Sequence, residues 1–288
     1  MSQNSIKYLT FNCTKNSMPE LPEVETTCKG ISPYVVNNII VDVTVKEPQL
    51  RWPVPADLSQ LLSGLEVVSV TRRGKYCLLN TCTGTIILHL GMSGNLRIVA
   101  ASEPAKKHDH VDFVFQNNLA LRFNDQRKFG AVLWAEGNAA NHPLLKDLGP
   151  EPLTSDFHSE YLYQRAKGKK MPVKTFIMDG HIVVGVGNIY ASESLFMAGI
   201  LPTRPAGDIS ASEYHKLVTA IKNVLQRAIA QGGTTLKDFV NAQGKPGYFS
   251  QSLTVYGRAG QPCYQCQNLI QQIKIGQRAS YFCAVCQC

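Results

Sequence analysis

Met18-Pro19-Glu20-Leu21-Pro22-Glu23-Val24-Glu25 brings together residue types that could do chemistry. A proline whose nitrogen is free is a secondary amine, and such an amine attacks an aldehyde-level carbon to form an iminium. A free α-amino group has a reference pKa of about 7.7–8.0, so about a tenth of it is neutral and nucleophilic at pH 7. Glu20 stands beside it as a general acid or base. In the chain as written, Met18 acylates Pro19, and the lone pair of that amide nitrogen is delocalised and cannot attack. Met18-Pro19 is a sound initiation pair, whereas Met1–Ser17 is rich in Asn, Ser, Thr and Lys and has no helical period. The expectation is an active protein that begins at Pro19, with residues 1–17 a disordered extension or upstream sequence. The octapeptide also reads as a helix start, with Pro22 in the first turn, Glu23 and Glu25 near the positive dipole end, and Val24, Cys28 and Ile31 on one face.

Two further groups carry chemistry by spacing. Cys263-Tyr264-Gln265-Cys266 and Cys283-Ala284-Val285-Cys286 are separated by 16 residues, which is zinc-ribbon spacing. Four thiolates close a tetrahedral site with no open position, so one structural zinc ion is expected and no metal catalysis. Gly185-Val186-Gly187-Asn188 opens a helical pattern, where backbone N–H groups and the Asn188 side chain could hold a phosphate. By itself this turn reads better as an ordinary helix start.

The remaining residues must position these groups. The 288-residue chain is 44% hydrophobic and 17% charged, an ordinary globular composition for about two domains. No apolar run is long enough for a membrane span. The net charge of +8 favours a polyanionic partner, with nucleic acid ahead of a membrane surface. Nine cysteines without a secretory signal point to a reducing, cytoplasmic setting and free thiols. A helix is expected over Met18–Ile31. Period-two segments follow at Ile39–Val45, Val67–Val70, Tyr76–Leu79, Thr85–Leu90, Leu96–Val99, Val111–Phe115, Leu119–Phe123 and Ala131–Trp134, the pattern of an antiparallel β-sandwich ending near Gly149-Pro150. From there the pattern is helical: Asp156–Ala166 capped by Ser155, a short helix from Pro172, Asn188–Ala198, and a long helix opened by the capping box Ser210–Glu213 and closed by Gly232-Gly233.

Taken together, these motifs resemble the formamidopyrimidine-DNA glycosylase family. The resemblance runs through the Pro19 octapeptide, Gly91-Met92-Ser93-Gly94, Asp125-Gln126-Arg127-Lys128-Phe129-Gly130, Gly185 to Glu193, Lys245-Pro246-Gly247-Tyr248-Phe249 and the four cysteines, nearly the whole of residues 18–286. It implies an α+β protein with four parts: the extension 1–17, a catalytic β-sandwich domain with flanking helices over 18–149, a helix–two-turn–helix domain over 150–248 and a zinc ribbon over 249–288. It implies a monomeric glycosylase and lyase that excises oxidised purines from double-stranded DNA and cuts at the abasic site. Pro19 would be the nucleophile, Glu20 the acid, and Lys75 and Arg278 proton donors for elimination. Met92, Arg127 and Phe129 would fill the gap left by an everted base, with Arg127 reading the orphaned partner. His108, Lys169 and Asn188 would contact DNA. Glu23, Glu193, Gln243, Gly244, Lys245, Pro246, Gly247 and Tyr248 would line the lesion pocket, the Gly-rich run as a lid. Gln126 stands where many relatives have another residue, often Pro. Three alternatives are an endonuclease VIII-like enzyme for oxidised pyrimidines, a DNA-binding protein disabled by the extension, and a structural zinc-ribbon protein of a ribosomal or transcription assembly.

Overall fold

The eight period-two segments all form strands, because alternate side chains can then enter one core while their neighbours stay outside. A computed structural model describes residues 18–233 and 253–288. Strands β1 (Ile40–Val45), β6 (Asp109–Phe115), β7 (Leu119–Asn124) and β5 (Asn95–Ala100) form one antiparallel sheet in that order. Strands β2 (Ser69–Arg73), β3 (Tyr76–Asn80), β4 (Gly84–His89) and β8 (Ala131–Glu136) form the other. Ile86, Leu88, Phe113, Leu121 and Phe123 are buried in their shared core. The strand expected at Val67–Val70 lies two residues later, because Val67 instead exchanges backbone hydrogen bonds with Asn37 and Asn38. A one-turn helix, α2 (Leu58–Leu62), is not legible in the sequence, since only Leu58 and Leu62 mark its buried side.

Helix α1 (Leu21–Val35) lies against the sandwich through Val24, Cys28, Ile31 and Val35. It runs four residues past the expected end, with Pro33 inside its last turn. Proline there removes one ladder hydrogen bond; full burial of Val35 offsets that loss.

The second half is helical: α3 (Ser159–Ala166), α4 (Val173–Ile177), α5 (Asn188–Ala198) and α6 (Ala211–Ala230). Tyr214, Leu217, Ile221, Val224, Leu225 and Ala228 form the buried stripe of α6, and its capping box is present at Ser210 and Glu213. Ser155 does not cap α3. The helix starts three residues later than expected, where the His158 ring accepts the Tyr161 amide. The final part is a hairpin, β9 (Gln271–Ile275) and β10 (Arg278–Phe282), between the two cysteine pairs. Among the described residues no helix is long and apolar enough to cross a membrane. Residues 1–17 and the run Gln243–Tyr248, expected from the sequence as a lid, lie outside the described residues.

Candidate active site

A helix start offers unpaired N–H groups and the positive end of a dipole to an anion. At α5 that anion belongs to the protein. Glu20 Oε1 accepts the Ile189 amide at 3.0 Å and Oε2 accepts the Tyr190 amide at 3.4 Å. Two of the amides that the sequence offers to an anion at this turn are thus taken by the leader of α1. The glycines explain how the two approach. A Cβ on Gly187 would overlap the Glu20 carboxyl carbon and lie 2.5 Å from Oε2, and one on Gly185 would lie 2.6 Å from Leu21 Cβ. Leu21 also donates its amide to Gly185 O at 3.2 Å. Glu23 completes the arrangement from α1: Oε2 accepts the Glu20 amide at 2.9 Å, and Oε1 accepts the Tyr190 hydroxyl at 2.7 Å. Pro19, Glu20 and Glu23 are all buried at this junction.

Cations surround the carboxyl. Lys75 sits in the β2–β3 turn, Lys174 on α4 and Arg278 at the start of β10. Burial pushes the Glu20 carboxyl up to about 7 against the pull of Lys75. Burial likewise lowers Lys75, with Arg278 adding to the effect and Glu20 opposing it. Burial holds Lys174 down to about 7, opposed by Glu20 and aided by Arg278. His89, which carries no mark in the sequence, is pushed down to about 4 by burial and then by Lys75 and Arg51. It is therefore neutral at pH 7. Its Nδ1 accepts the Gly91 amide at 3.0 Å, which leaves the proton on Nε2.

A carboxyl that titrates near neutrality is half protonated there, the state from which a general acid acts. Excision should therefore fall as pH rises through about 7, as Glu20 loses its proton. The stability sign runs the same way. The raised folded value means that charging Glu20 costs free energy in the fold, from about pH 4.5 upward and in full above about 7. Glu20→Gln should abolish excision yet melt at or above the parent temperature at pH 8, with the two converging near pH 4. Thermal melts at the two pH values check this; a lower melting temperature at pH 8 would contradict it.

The turn carrying Lys75 is fixed by Glu151, just past Gly149-Pro150. Its carboxylate accepts the Gly74 amide at 2.6 Å, Arg72 Nη1 at 2.6 Å and Arg73 Nη1 at 3.1 Å. The linker between the halves is thus tied to the site wall.

Asn188 is engaged within the protein. Its Oδ1 accepts Lys174 Nζ at 2.6 Å, and its Nδ2 donates to Ala279 O at 3.0 Å and to Tyr256 Oη at 3.4 Å. Lys174 also donates to Ser280 Oγ at 2.6 Å. These contacts lock the zinc hairpin to α4 and α5, and they place Arg278 beside the Glu20 group. Glu193 lies on α5 about one turn beyond Tyr190. Its buried carboxylate accepts the amides of Thr254, Val255 and Tyr256 at 2.8–2.9 Å and the Thr254 hydroxyl. It fixes the chain that follows residues 234–252.

Across the cleft, Met92, Arg127 and Phe129 come together on two loops. A Cβ on Gly91, whose φ is +62°, would lie 2.5 Å from Gly130 N and 2.6 Å from Phe129 O, so glycine alone lets the Met92 turn sit on the 129–130 backbone. Asp125 shapes the second loop: it accepts Ser93 Oγ at 2.5 Å, the Gly130 amide at 2.8 Å and the Arg127 amide at 3.2 Å. Arg127 lies over the Phe129 ring at 5.1 Å, and Phe129 keeps 45% of its surface exposed, which a core residue would not. Between this wedge and Met18, Gln49, Leu50 and Arg51 lies a cleft of about 660 Å³. Lys169 is exposed and His108 partly so.

The sulfurs of Cys263, Cys266, Cys283 and Cys286 lie within 4.8 Å of one another. Cys263 and Cys286 are 3.9 Å apart, and Cys266 and Cys283 3.4 Å. Zinc–sulfur bonds of about 2.3 Å in a tetrahedron require sulfur separations of about 3.8 Å. The four residues fit one structural zinc ion.

Three comparisons bear on this geometry. The sequence profile of the formamidopyrimidine-DNA glycosylase N-terminal domain matches residues 18–132, that of the formamidopyrimidine-DNA glycosylase H2TH domain matches 148–240, and that of the zinc finger found in FPG and IleRS matches 260–287. The chain is 55% identical over 270 residues to the formamidopyrimidine-DNA glycosylase of Hahella chejuensis, covering 94% of this chain and 100% of that one. Its fold is similar to that of the MutM (FPG) protein of Thermus thermophilus, with a TM-score of 0.84, 34% identity, and coverage of 93% and 98% of the two chains. It is similar also to Lactococcus lactis FPG in complex with DNA containing Fapy-dG, with a TM-score of 0.86, 32% identity, and coverage of 93% and 99%.

Proposed function

We propose that this chain, which belongs to the formamidopyrimidine-DNA glycosylase family, opens the N-glycosidic bond of oxidised purines in duplex DNA through the nitrogen of Pro19. It is a DNA glycosylase of base-excision repair, and the family's second activity is abasic-site lyase. The observation that carries the reading is the burial of Glu20 on the α5 amides next to Pro19, with its carboxyl near neutrality.

In the proposed sequence, the neutral Pro19 N attacks C1′, the C1′–base bond breaks with its electron pair leaving on the base, and the proton lost from the nitrogen neutralises the departing base. Protonated Glu20 gives its proton to the ring oxygen as the sugar opens to an iminium. That cation acidifies the C2′ proton. Its loss breaks the C3′–O bond, and a second elimination breaks the C5′–O bond, leaving a one-nucleotide gap with phosphates at both ends. Lys75, which is coupled to both Glu20 and Arg278, serves with Arg278 as the proton donor of the eliminations. Met92 and Phe129 fill the vacated stack, Arg127 meets the orphaned base, and His108 and Lys169 hold the backbone. Asn188 acts through the hairpin it fixes, and Glu23 through the Glu20 amide. Glu193 anchors the segment that follows the lesion lid, residues 243–248. The zinc ion supplies only the shape of the ribbon. The protein acts as a monomer in the cytoplasm, at the nucleoid.

All of this needs Pro19 freed from Met18. A form whose synthesis starts at Met18 should be trapped covalently on an 8-oxoguanine duplex by borohydride. The 288-residue form, with Met1 verified by mass, should not. Equal trapping with Met1 attached would overturn Pro19 as nucleophile and make Lys75 the first candidate.

A further inference from the structure

Tyr190 touches both carboxylates of the leader. Its amide donates to Glu20 Oε2 at 3.4 Å, and its hydroxyl donates to Glu23 Oε1 at 2.7 Å. The other oxygen of Glu23 accepts the Glu20 amide at 2.9 Å, so a continuous chain runs from the Tyr190 phenol through Glu23 to the Glu20 backbone. All three residues are at most 3% exposed. A buried tyrosine hydroxyl needs some partner, and a backbone carbonyl would serve for structure alone. Here the partner is a carboxylate one turn from Glu20, in a charge-assisted hydrogen bond, the stronger kind.

We propose that Tyr190 is a positioning residue for base release: through Glu23 it fixes where the Glu20 carboxyl sits, and it has no part in the eliminations that follow. The inference rests on the reading of Pro19 and Glu20 given above. It has a distinctive consequence because the two stages differ in what they ask of Glu20. Base release needs a proton delivered to the sugar ring oxygen at one place. A preformed abasic site already presents an aldehyde, so iminium formation and β-elimination there proceed without that delivery. A displacement of about 1 Å at a reacting group can cost about a hundredfold in rate, and the loss falls only on the step that uses the group. The charged groups around Glu20 are unaltered by removal of one phenol oxygen: Lys75 from the β2–β3 turn, Lys174 from α4 and Glu23 from α1 act on it directly, and Arg278 from β10 acts on the two lysines.

The test is Tyr190→Phe in whichever form of the protein traps covalently. Single-turnover rates would be measured on an 8-oxoguanine duplex and on a duplex with a preformed abasic site, with affinity for a non-cleavable abasic analogue alongside. The expected result is excision reduced about 10- to 100-fold, abasic cleavage within about twofold of the parent, and unchanged affinity. Equal losses on both substrates would overturn the inference in favour of a plain structural role. So would unchanged excision. If the phenylalanine variant is too unstable at the assay temperature, both rates are measured for variant and parent below the variant's melting transition, where the same split between the two substrates is expected and equal losses overturn the inference. A parent protein that cannot be trapped at all would instead refute the Pro19 reading itself.

Discussion

Gly187→Ala should reduce base excision by about a hundredfold or more while the protein remains folded. The reason lies in space and not in backbone freedom. Gly187 has φ −109° and ψ −161°, extended values that alanine adopts readily. What alanine adds is a methyl carbon within the Glu20 carboxyl group, 2.5 Å from Oε2. Either Glu20 leaves the α5 amides or the start of α5 retreats, and in both cases the acid is no longer held beside Pro19. Since the burial of Glu20 raises its proton affinity, a displaced and hydrated Glu20 should also titrate lower. The residual activity of the variant should then decline at a lower pH than that of the parent. Single-turnover excision across pH 5–9, with a thermal melt as a control on folding, measures both effects. Excision near the parent rate would show that the Glu20–α5 contact is dispensable.

Loss of zinc should remove strand cleavage altogether while leaving the β-sandwich intact. The ribbon's own core is small, with Val255, Ile270 and Tyr281 around Cys263 and Cys283, and Phe196 of α5 closes it from the helical half. A module of that size depends on its metal, because four-thiolate binding supplies about 10–16 kcal/mol at neutral pH in small zinc modules. Its attachment to the helical half is polar and specific. Asn188 and Lys174 hold Ala279 and Ser280, the Gln287 amide donates to Ile200 O at 2.8 Å, and Leu201 and Cys288 are joined at 3.1 Å. When the hairpin melts, Arg278 leaves the site and Lys174 loses two of its partners. For Cys263→Ala, affinity for lesion duplex should fall at least about tenfold, cleavage should disappear, and most of the circular dichroism signal should remain. Full cleavage by protein shown to carry no zinc would defeat the argument.

Much of the architecture can be read from the chain because its signals are local. Cysteine spacing locates the ribbon, period-two segments the sandwich, and a capping box with an apolar stripe the long helix α6. The sequence is silent where partners are distant. Gly185-Val186-Gly187-Asn188 has the form of a phosphate-binding turn, and only the fold shows that a carboxylate from α1 is already there. Glu193 reads as a pocket residue, yet it is consumed by three amides and a hydroxyl of residues 254–256. Lys174 and His89 carry no sequence signal, since a lysine in a basic stretch and a histidine ending an apolar strand are common. Their shifted titration arises wholly from what packs around them. A signal for Glu151 is present in principle, in an acid placed directly after the Gly-Pro break.

The seating of Glu20 on α5 also bears on how the molecule comes into being. The Glu20–Ile189 hydrogen bond joins residues 169 positions apart. Contacts of such separation are slow to form, because the loop between them must be closed before the contact rewards it. During synthesis the leader leaves the ribosome first, and its anchor follows more than half a chain later. Domains tend to fold as they emerge, so the sandwich can consolidate while Glu20 still lacks its amides. A nascent chain would then hold Pro19 without Glu20 seated beside it. Competence to cut DNA would arrive in one late step, when the turn at residues 185–190 docks onto a sandwich already formed.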